Sequence, residues 1–379
     1  MSAELPLSDS HGRVMRDLRV SITDRCNFRC LYCLPETEEA ASFYRGKFDA
    51  LKNPQPTFTP IVREWKPKSS LLSYEEIERV VRVAVGLGIE KVRLTGGEPL
   101  LRRDVPSLVA RLAPLAGLRD LAMTTNGAHF APHAAALRAA GLKRVSFSLD
   151  SLDHDNFKRI TGRDGLRAAL ASIALAQELG FAPVKVNAVV IRGMNDHELE
   201  QLAEFARERA LSFRFIEFMP LDSGHAWLRD LVVPGREILT RLQARFDLRP
   251  IVSENQSETA KRWTFADGRG EIGIIAPVTE PFCGHCNRLR LTADGKVRTC
   301  LFSLHEHDLK PLLRGSASDA DLARRLREIV LGKEARHHIG ERGTRTLVGH
   351  VHGSQVMRLQ QQLHTDVRGA ARDRKSTRL

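Results

Sequence analysis

Six cysteines fall into two triplets and nowhere else: Cys26, Cys30 and Cys33, then Cys283, Cys286 and Cys300. Clustered thiols in a reducing compartment bind metal or do redox chemistry more often than they pair as disulfides. In Cys26-Asn-Phe-Arg-Cys30-Leu-Tyr-Cys33 three residues and then two separate the thiols, so one loop can wrap a cuboidal cluster. A [4Fe–4S] cluster ordinarily takes four thiolates, one per iron. Three leave an iron open to a small molecule. A structural zinc site competes with this reading, although zinc prefers four closed tetrahedral ligands. The second triplet again offers three thiols, with His285, His305 or His307 available to complete a zinc set.

Four polar or glycine-rich signals recur where an apolar run hands over to a loop: Thr23-Asp-Arg-Cys26, Thr95-Gly-Gly-Glu-Pro99, Thr124-Thr-Asn-Gly127 and Ser148-Leu-Asp-Ser151. The β-rich runs that must position them are residues 18–23, 92–95, 121–124, 145–150, 184–191 and 213–218. Helical patterns at 74–86, 105–115, 134–140, 166–179 and 197–210 lie between them. Ser73 with Glu76 three positions on forms a capping box for the first helix. Alternating β and α elements imply a parallel sheet with right-handed crossovers. Six units suit an incomplete barrel, and periodicity alone also allows an open doubly wound sheet. The signals at the strand exits favour the barrel, because active sites gather at that end. The expected architecture is an incomplete (βα)6 TIM-like barrel over residues 1–233, with an insertion at 36–70 read as a loop or lid. A smaller C-terminal α+β layer at 234–342 carries the second cysteine group.

Lys and Arg number 58 against 46 Asp and Glu, a net +12 that suits nucleic acid or a polyanionic small molecule. Residues 366–379 hold five basic and two acidic side chains, a small part of that excess. A hydrophobic fraction of 42% and a charged fraction of 27% exclude wholesale disorder. No apolar run approaches the ~18–20 residues a bilayer requires. The first residues lack the apolar core of a secretory signal, so a cytoplasmic protein without membrane contact is expected.

The first cysteine loop resembles the signature of the radical S-adenosylmethionine enzymes. That resemblance implies S-adenosylmethionine chelated to the open iron, with Tyr32 beside the adenine. It also implies a methionine-binding Gly96-Gly97-Glu98-Pro99 turn, in which Glu98 accepts from the ammonium. The ordered set RVSITDRCNFRCLYC, RLTGGEPLLRRD, TTNG, SLDSLD, VKVNAVVI, RFIEFMP and FCGHCNRLRLTADGKVRTCLF resembles the GTP 3′,8-cyclase family of molybdenum cofactor biosynthesis, from about residue 11 to 335. By that resemblance Arg19, Arg93, Thr124, Lys185, Arg288 and Arg290 contact GTP, and Tyr32, Gly97, Ser148 and Met219 contact S-adenosylmethionine. Cys26, Cys30 and Cys33 hold one [4Fe–4S] cluster, and Cys283, Cys286 and Cys300 a second. Guanidinium forks bind phosphate oxygens bidentately. Arg288 and Arg290 alternate along a strand-like run and so share one side. No acid–base residue is nominated. The family further implies a reducing electron donor, the downstream cyclic pyranopterin monophosphate synthase as partner, a homodimer, and no nucleic acid.

The Gly-Lys pairs at 46–47, 295–296 and 332–333 are not followed by Ser or Thr, so no GTPase phosphate loop is present. A peptide-modifying radical enzyme would be expected to carry further cysteines beyond residue 300, and none occurs. A basic Fe–S or zinc nucleic-acid binder accounts for the charge but not for the βα units, and aromatics are only 6%. From about Gly343 the family pattern fades. The chain ends Arg-Lys-Ser-Thr-Arg-Leu, where the family carries a Gly-Gly tail that reaches the active site. Residues 343–379 are read as an atypical tail of artefactual origin, with S-adenosylmethionine cleavage retained and little cyclised GTP expected.

Overall fold

Apolar and polar residues alternate along six strands, β1 (Asp17–Ser21), β2 (Lys91–Thr95), β3 (Asp120–Thr125), β4 (Arg144–Ser148), β5 (Lys185–Val190) and β6 (Ser212–Glu217). Successive side chains of a strand point to opposite faces. Leu18 and Val20, Val92 and Leu94, Val145 and Phe147, Val186 and Ala188, and Phe213 and Phe215 are all buried in one continuous core under the helices. Their polar neighbours are left for the other face. The computed structural model describes residues 6–33, 38, 40–43, 46, 65–221, 227–253, 255–303, 305–337 and 339. Residues 343–379 and most of the 36–70 insertion lie outside these. Ala40 and Ala41, within that insertion, are buried against Leu31, Ile160 and Phe218.

The six strands pair in chain order, each parallel to the next. Six more complete the sheet: β7 (Leu248–Ile251), β8 (Lys261–Phe265), β9 (Glu271–Ile275), β10 (Arg288–Leu291), β11 (Lys296–Arg298) and β12 (His307–Asp308). Rather than forming a sheet of their own, these C-terminal strands extend both edges. β10 joins β1 and β9 joins β6, each parallel, with antiparallel strands outside them. The result is a mostly parallel α/β sheet whose two flanks come from the C-terminal region.

The first helix, α1 (Tyr74–Gly86), starts on the expected capping box, Glu76 N–H donating to Ser73 Oγ at 3.1 Å and Ser73 N–H to Glu76 Oε2 at 2.7 Å. The others in chain order are α2 (Val105–Leu112), α3 (Ala134–Ala139), α4 (His154–Thr161), α5 (Leu166–Glu178), α6 (Leu199–Glu208), α7 (Gly235–Arg245), α8 (Lys310–Arg314) and α9 (Asp319–Leu331). Sequence periodicity missed α4, which buries Phe157 and Ile160 within a mostly polar segment. It ran α2 three residues long. Among the described residues no helix is long and apolar enough to cross a membrane.

Candidate functional site

The register sets three arginines abreast. Arg19 of β1 pairs with Arg290 of β10 on one side and with Arg93 of β2 on the other. Residues paired across neighbouring strands share a face, and like charges so placed repel. An anion lying over the row would relieve that repulsion. Arg19 Nε is buried and has no hydrogen-bond partner among the described residues. Arg93 Nη1 donates to Thr124 Oγ1 at 3.2 Å and to Ser146 Oγ at 2.9 Å, continuing the polar face across β3 and β4.

This face bounds a cavity of about 1190 Å³, lined by eleven Arg or Lys and four Asp or Glu side chains. The cations crowd one another. Burial and Arg19 pull Arg93 down to about 10 and Arg290 to about 9. Burial, then Arg214, Arg144, Arg93 and Lys91, lower Lys185 to about 7. All six residues expected at GTP line the cavity, as do Met219 and all three thiols of the second triplet. The sequence reading missed Lys91 and Arg214, which line it too. Each stands on a strand that already carries an expected contact or motif, two residues before Arg93 or within the Arg214–Met219 run. Strand alternation was the available signal. Gly273 gives Arg214 its room: a Cβ there would meet Arg214 Cγ at 3.1 Å.

Cys283 opens a single turn before β10, and Cys300 follows β11. His285 and His305, offered above as zinc ligands, are exposed. His337 lines the cavity beside the triplet, but its ring is used: Nε2 bonds the Pro277 carbonyl at 2.8 Å and Nδ1 accepts from Ile339 N–H at 3.2 Å. Among the described residues no three His, Cys, Asp or Glu side chains gather as they would around a single metal ion. None of the six cysteines is in a disulfide. The second triplet's donor set is three soft sulfurs facing open space, which fits a cluster with one open iron. Burial alone would raise Cys286, yet Arg288 and Lys333 beside it hold its thiol below the ordinary range.

The first triplet sits in a loop clamped by three neighbours. Arg29 and Leu31 N–H donate to the Thr161 and Ile160 carbonyls at 2.7 and 2.9 Å, and Phe28 packs edge-on against Phe157. Asn126 donates to Asn27 Oδ1 at 2.8 Å. The Gly97 and Glu98 amides donate to the Thr23 and Arg25 carbonyls at 2.8 and 2.7 Å. A Cβ at Gly97 would stand 2.0 Å from Arg25 O, so this glycine is demanded by the approach of the cysteine loop itself. Burial pushes the Cys26 thiol up to about 12, so it stays protonated unless a metal or another cation stabilises the thiolate.

Glu98 departs from expectation. It was to meet a ligand's ammonium, yet it is 1% exposed. Its carboxylate accepts from Thr125 Oγ1 at 2.7 Å, Asn126 N–H at 2.8 Å and Leu100 N–H at 3.1 Å. It braces the glycine turn to the end of β3. Glu217, in the RFIEFMP run, is likewise internal, accepting from the Gly235, Val278 and Thr279 amides. Tyr32, Gly97 and Ser148 stand outside the cavity's lining, on or beside the strand-exit loops near the first triplet, so the expected S-adenosylmethionine set is divided between those loops and Met219.

Comparison with known proteins bears on this arrangement. The radical SAM superfamily matches residues 20–206, and the Molybdenum Cofactor Synthesis C family matches 211–339. The GTP 3′,8-cyclase of Acidothermus cellulolyticus is 45% identical over 326 residues, covering 86% of this chain and 84% of that one. That of Streptomyces coelicolor is 46% identical over 331 residues, covering 87% and 90%. The chain belongs to the GTP 3′,8-cyclase family. The radical SAM family carries a [4Fe–4S] cluster and S-adenosylmethionine. Among solved structures, Streptococcus suis SuiB bound to S-adenosylmethionine matches with a TM-score of 0.55 at 14% identity, covering 85% of this chain and 68% of that one. At that identity the likeness is one of fold.

Proposed function

We propose that this chain is a radical S-adenosylmethionine enzyme converting GTP to its 3′,8-cyclised dihydro product, the first step of molybdenum cofactor biosynthesis. One observation carries the reading: the six expected GTP residues and the second cysteine triplet line one cation-rich cavity. A triphosphate is the ligand such a cavity suits, because each guanidinium fork can take two phosphate oxygens. We read the sheet as the expected (βα)6 partial barrel. Support comes from β1 to β6, β9 and β10 all contributing side chains to that single cavity.

Cys26, Cys30 and Cys33 would hold a [4Fe–4S] cluster, which when bound would supply the electron for cleaving S-adenosylmethionine, the chemistry by which C3′ of the ribose would lose a hydrogen and join guanine C8 with uptake of a second electron and a proton. The chain's residues do the rest. Arg19, Arg93, Arg290 and Lys185 anchor the triphosphate, with Thr124 holding Arg93 in its row. Arg288, whose Nη1 donates to Ser257 O at 3.2 Å and whose guanidinium lies over Phe282, stands beside the second triplet. Cys283, Cys286 and Cys300, which line the cavity, would hold a second cluster, whose open iron would supply a binding site for the guanine. Tyr32, Gly97, Ser148 and Met219 line the path for S-adenosylmethionine. The reading calls for a reducing electron donor and a reducing, cytoplasmic setting. A homodimer and the downstream synthase remain its expected partners.

The test is anaerobic incubation of the reconstituted chain with GTP, S-adenosylmethionine and reductant. It reads the identity of the product. Cys26→Ala should abolish S-adenosylmethionine cleavage. Cys286→Ala should leave some uncoupled cleavage and stop cyclisation. Wild-type cyclisation in Cys286→Ala would contradict a substrate-side role for the second triplet.

A further inference from the structure

Beside the second triplet lies a buried cation that the proposed reaction does not use. Lys333 follows α9 directly and is 3% exposed. It is absent from the cavity lining, whereas Cys283, Cys286 and Cys300 are part of it. Its Nζ donates to the Arg288 carbonyl at 3.2 Å and to the Thr299 carbonyl. These two residues lie between the second and third thiols, two positions after Cys286 and one before Cys300.

Burying an ammonium is costly unless an anion compensates it. Two backbone carbonyls take its protons but carry no net charge. Glu334 supplies one carboxylate within electrostatic reach of Lys333, held by Thr299 Oγ1 at 2.7 Å. Cys286 and Cys300 lie within the same reach, and as metal-bound thiolates they would add to that anionic compensation. A [4Fe–4S] core on three protein thiolates is net anionic and gains one more negative charge on reduction. Arg298, 2% exposed with Nη2 donating to Ser303 O at 2.6 Å, adds a further buried cation near Cys300.

We propose that Lys333 is a positioning residue for the second cluster, its fixed charge offsetting that of the thiolate-bound iron while its hydrogen bonds lock the backbone next to Cys286 and next to Cys300. The inference rests on the two-cluster reading given above. Because Lys333 is outside the cavity, its effect falls on the cluster before it falls on GTP.

The test compares wild type, Lys333→Met and Lys333→Arg in the reconstituted full chain by iron analysis and EPR-monitored redox titration. The second cluster's signal is identified by its loss in Cys286→Ala. Wild type should hold about eight irons, four per cluster. Lys333→Met should either shift the second cluster to a more negative potential or lose it, iron falling to about four per chain. Lys333→Arg should keep both iron and potential. A Lys333→Met chain with wild-type iron and potential would overturn the proposal, as would equal damage in Lys333→Arg. About four irons in wild type would remove the two-cluster reading itself, and this inference with it.

Discussion

Tyr32 donates its phenolic hydrogen to Asp150 Oδ2 at 2.7 Å, and Asp150 Oδ1 accepts from Val189 N–H at 2.8 Å. One buried carboxylate thus ties the cysteine loop to the exit of β4 and to β5. Burial pushes it up to about 6. If Tyr32 lies beside the adenine of S-adenosylmethionine, Asp150 sets where that ring stands. Asp150→Ala is expected to weaken S-adenosylmethionine binding about 10-fold, the value of a hydrogen bond to a charged group. Tyr32→Phe should do much the same, and the double variant little more than either, since both remove one interaction. Equilibrium binding to the iron-loaded chain checks this; additive losses would contradict it.

Lys185 supplies a pH signature. With its pKa at about 7, it is largely neutral in the empty site at about pH 8, and a bound triphosphate restores its charge. GTP binding near pH 8 should therefore take up a proton, and affinity should fall as pH rises above about 7. Calorimetry in buffers of different ionisation enthalpy reads the uptake, which Lys185→Arg should abolish. The sign for stability follows. Between about 7 and the ordinary 10.5 the unfolded lysine holds more protons than the folded one, so the unliganded protein gains stability with rising pH across that window.

Glu98→Ala is expected to lower stability by about 2–3 kcal/mol, because three donors lose a buried acceptor. Burial raises this carboxyl to about 7, so between 4.5 and about 7 the folded state holds the extra proton and this contribution to stability declines as pH rises. Thermal unfolding measures both effects. Unchanged stability with lost S-adenosylmethionine binding would mean that the carboxylate reaches the ligand after all.

Much of this was legible before the coordinates. Strand alternation and the capping box located the parallel strands and α1 to within a residue or two, because local pattern and tertiary burial agree there. The two cysteine groups were readable from type and spacing, whereas the six residues expected at GTP came from the family resemblance and all line the cavity. Less legible was what holds them. Glu98 sits in a conspicuous motif and was expected at a ligand, yet it is a buried acceptor for two backbone amides and a threonine hydroxyl. Only the fold decides which way a carboxylate turns. Lys333 was invisible, since nothing in Gly332-Lys333-Glu334 says that the helix end folds beside the triplet. The joining of β10 and β9 to the edges of the central sheet depends on pairing between residues far apart in the chain, which periodicity does not report.

Arg290→Ala should weaken GTP by roughly 10- to 150-fold, as a charged hydrogen bond of ~1.5–3 kcal/mol implies. Guanosine should lose little. Equal losses for the two ligands, measured by equilibrium binding, would contradict a triphosphate over the Arg290–Arg19–Arg93 row.

The central claim is that GTP in this cavity gives up its ribose 3′ hydrogen to chemistry begun at the first triplet. It is tested most directly with GTP deuterated at C3′, incubated anaerobically with the reconstituted chain, S-adenosylmethionine and reductant, followed by mass analysis of the 5′-deoxyadenosine formed. Deuterium in that 5′-deoxyadenosine, absent when Cys30 is replaced by Ala, is the predicted result. Unlabelled 5′-deoxyadenosine in the presence of saturating deuterated GTP would contradict it.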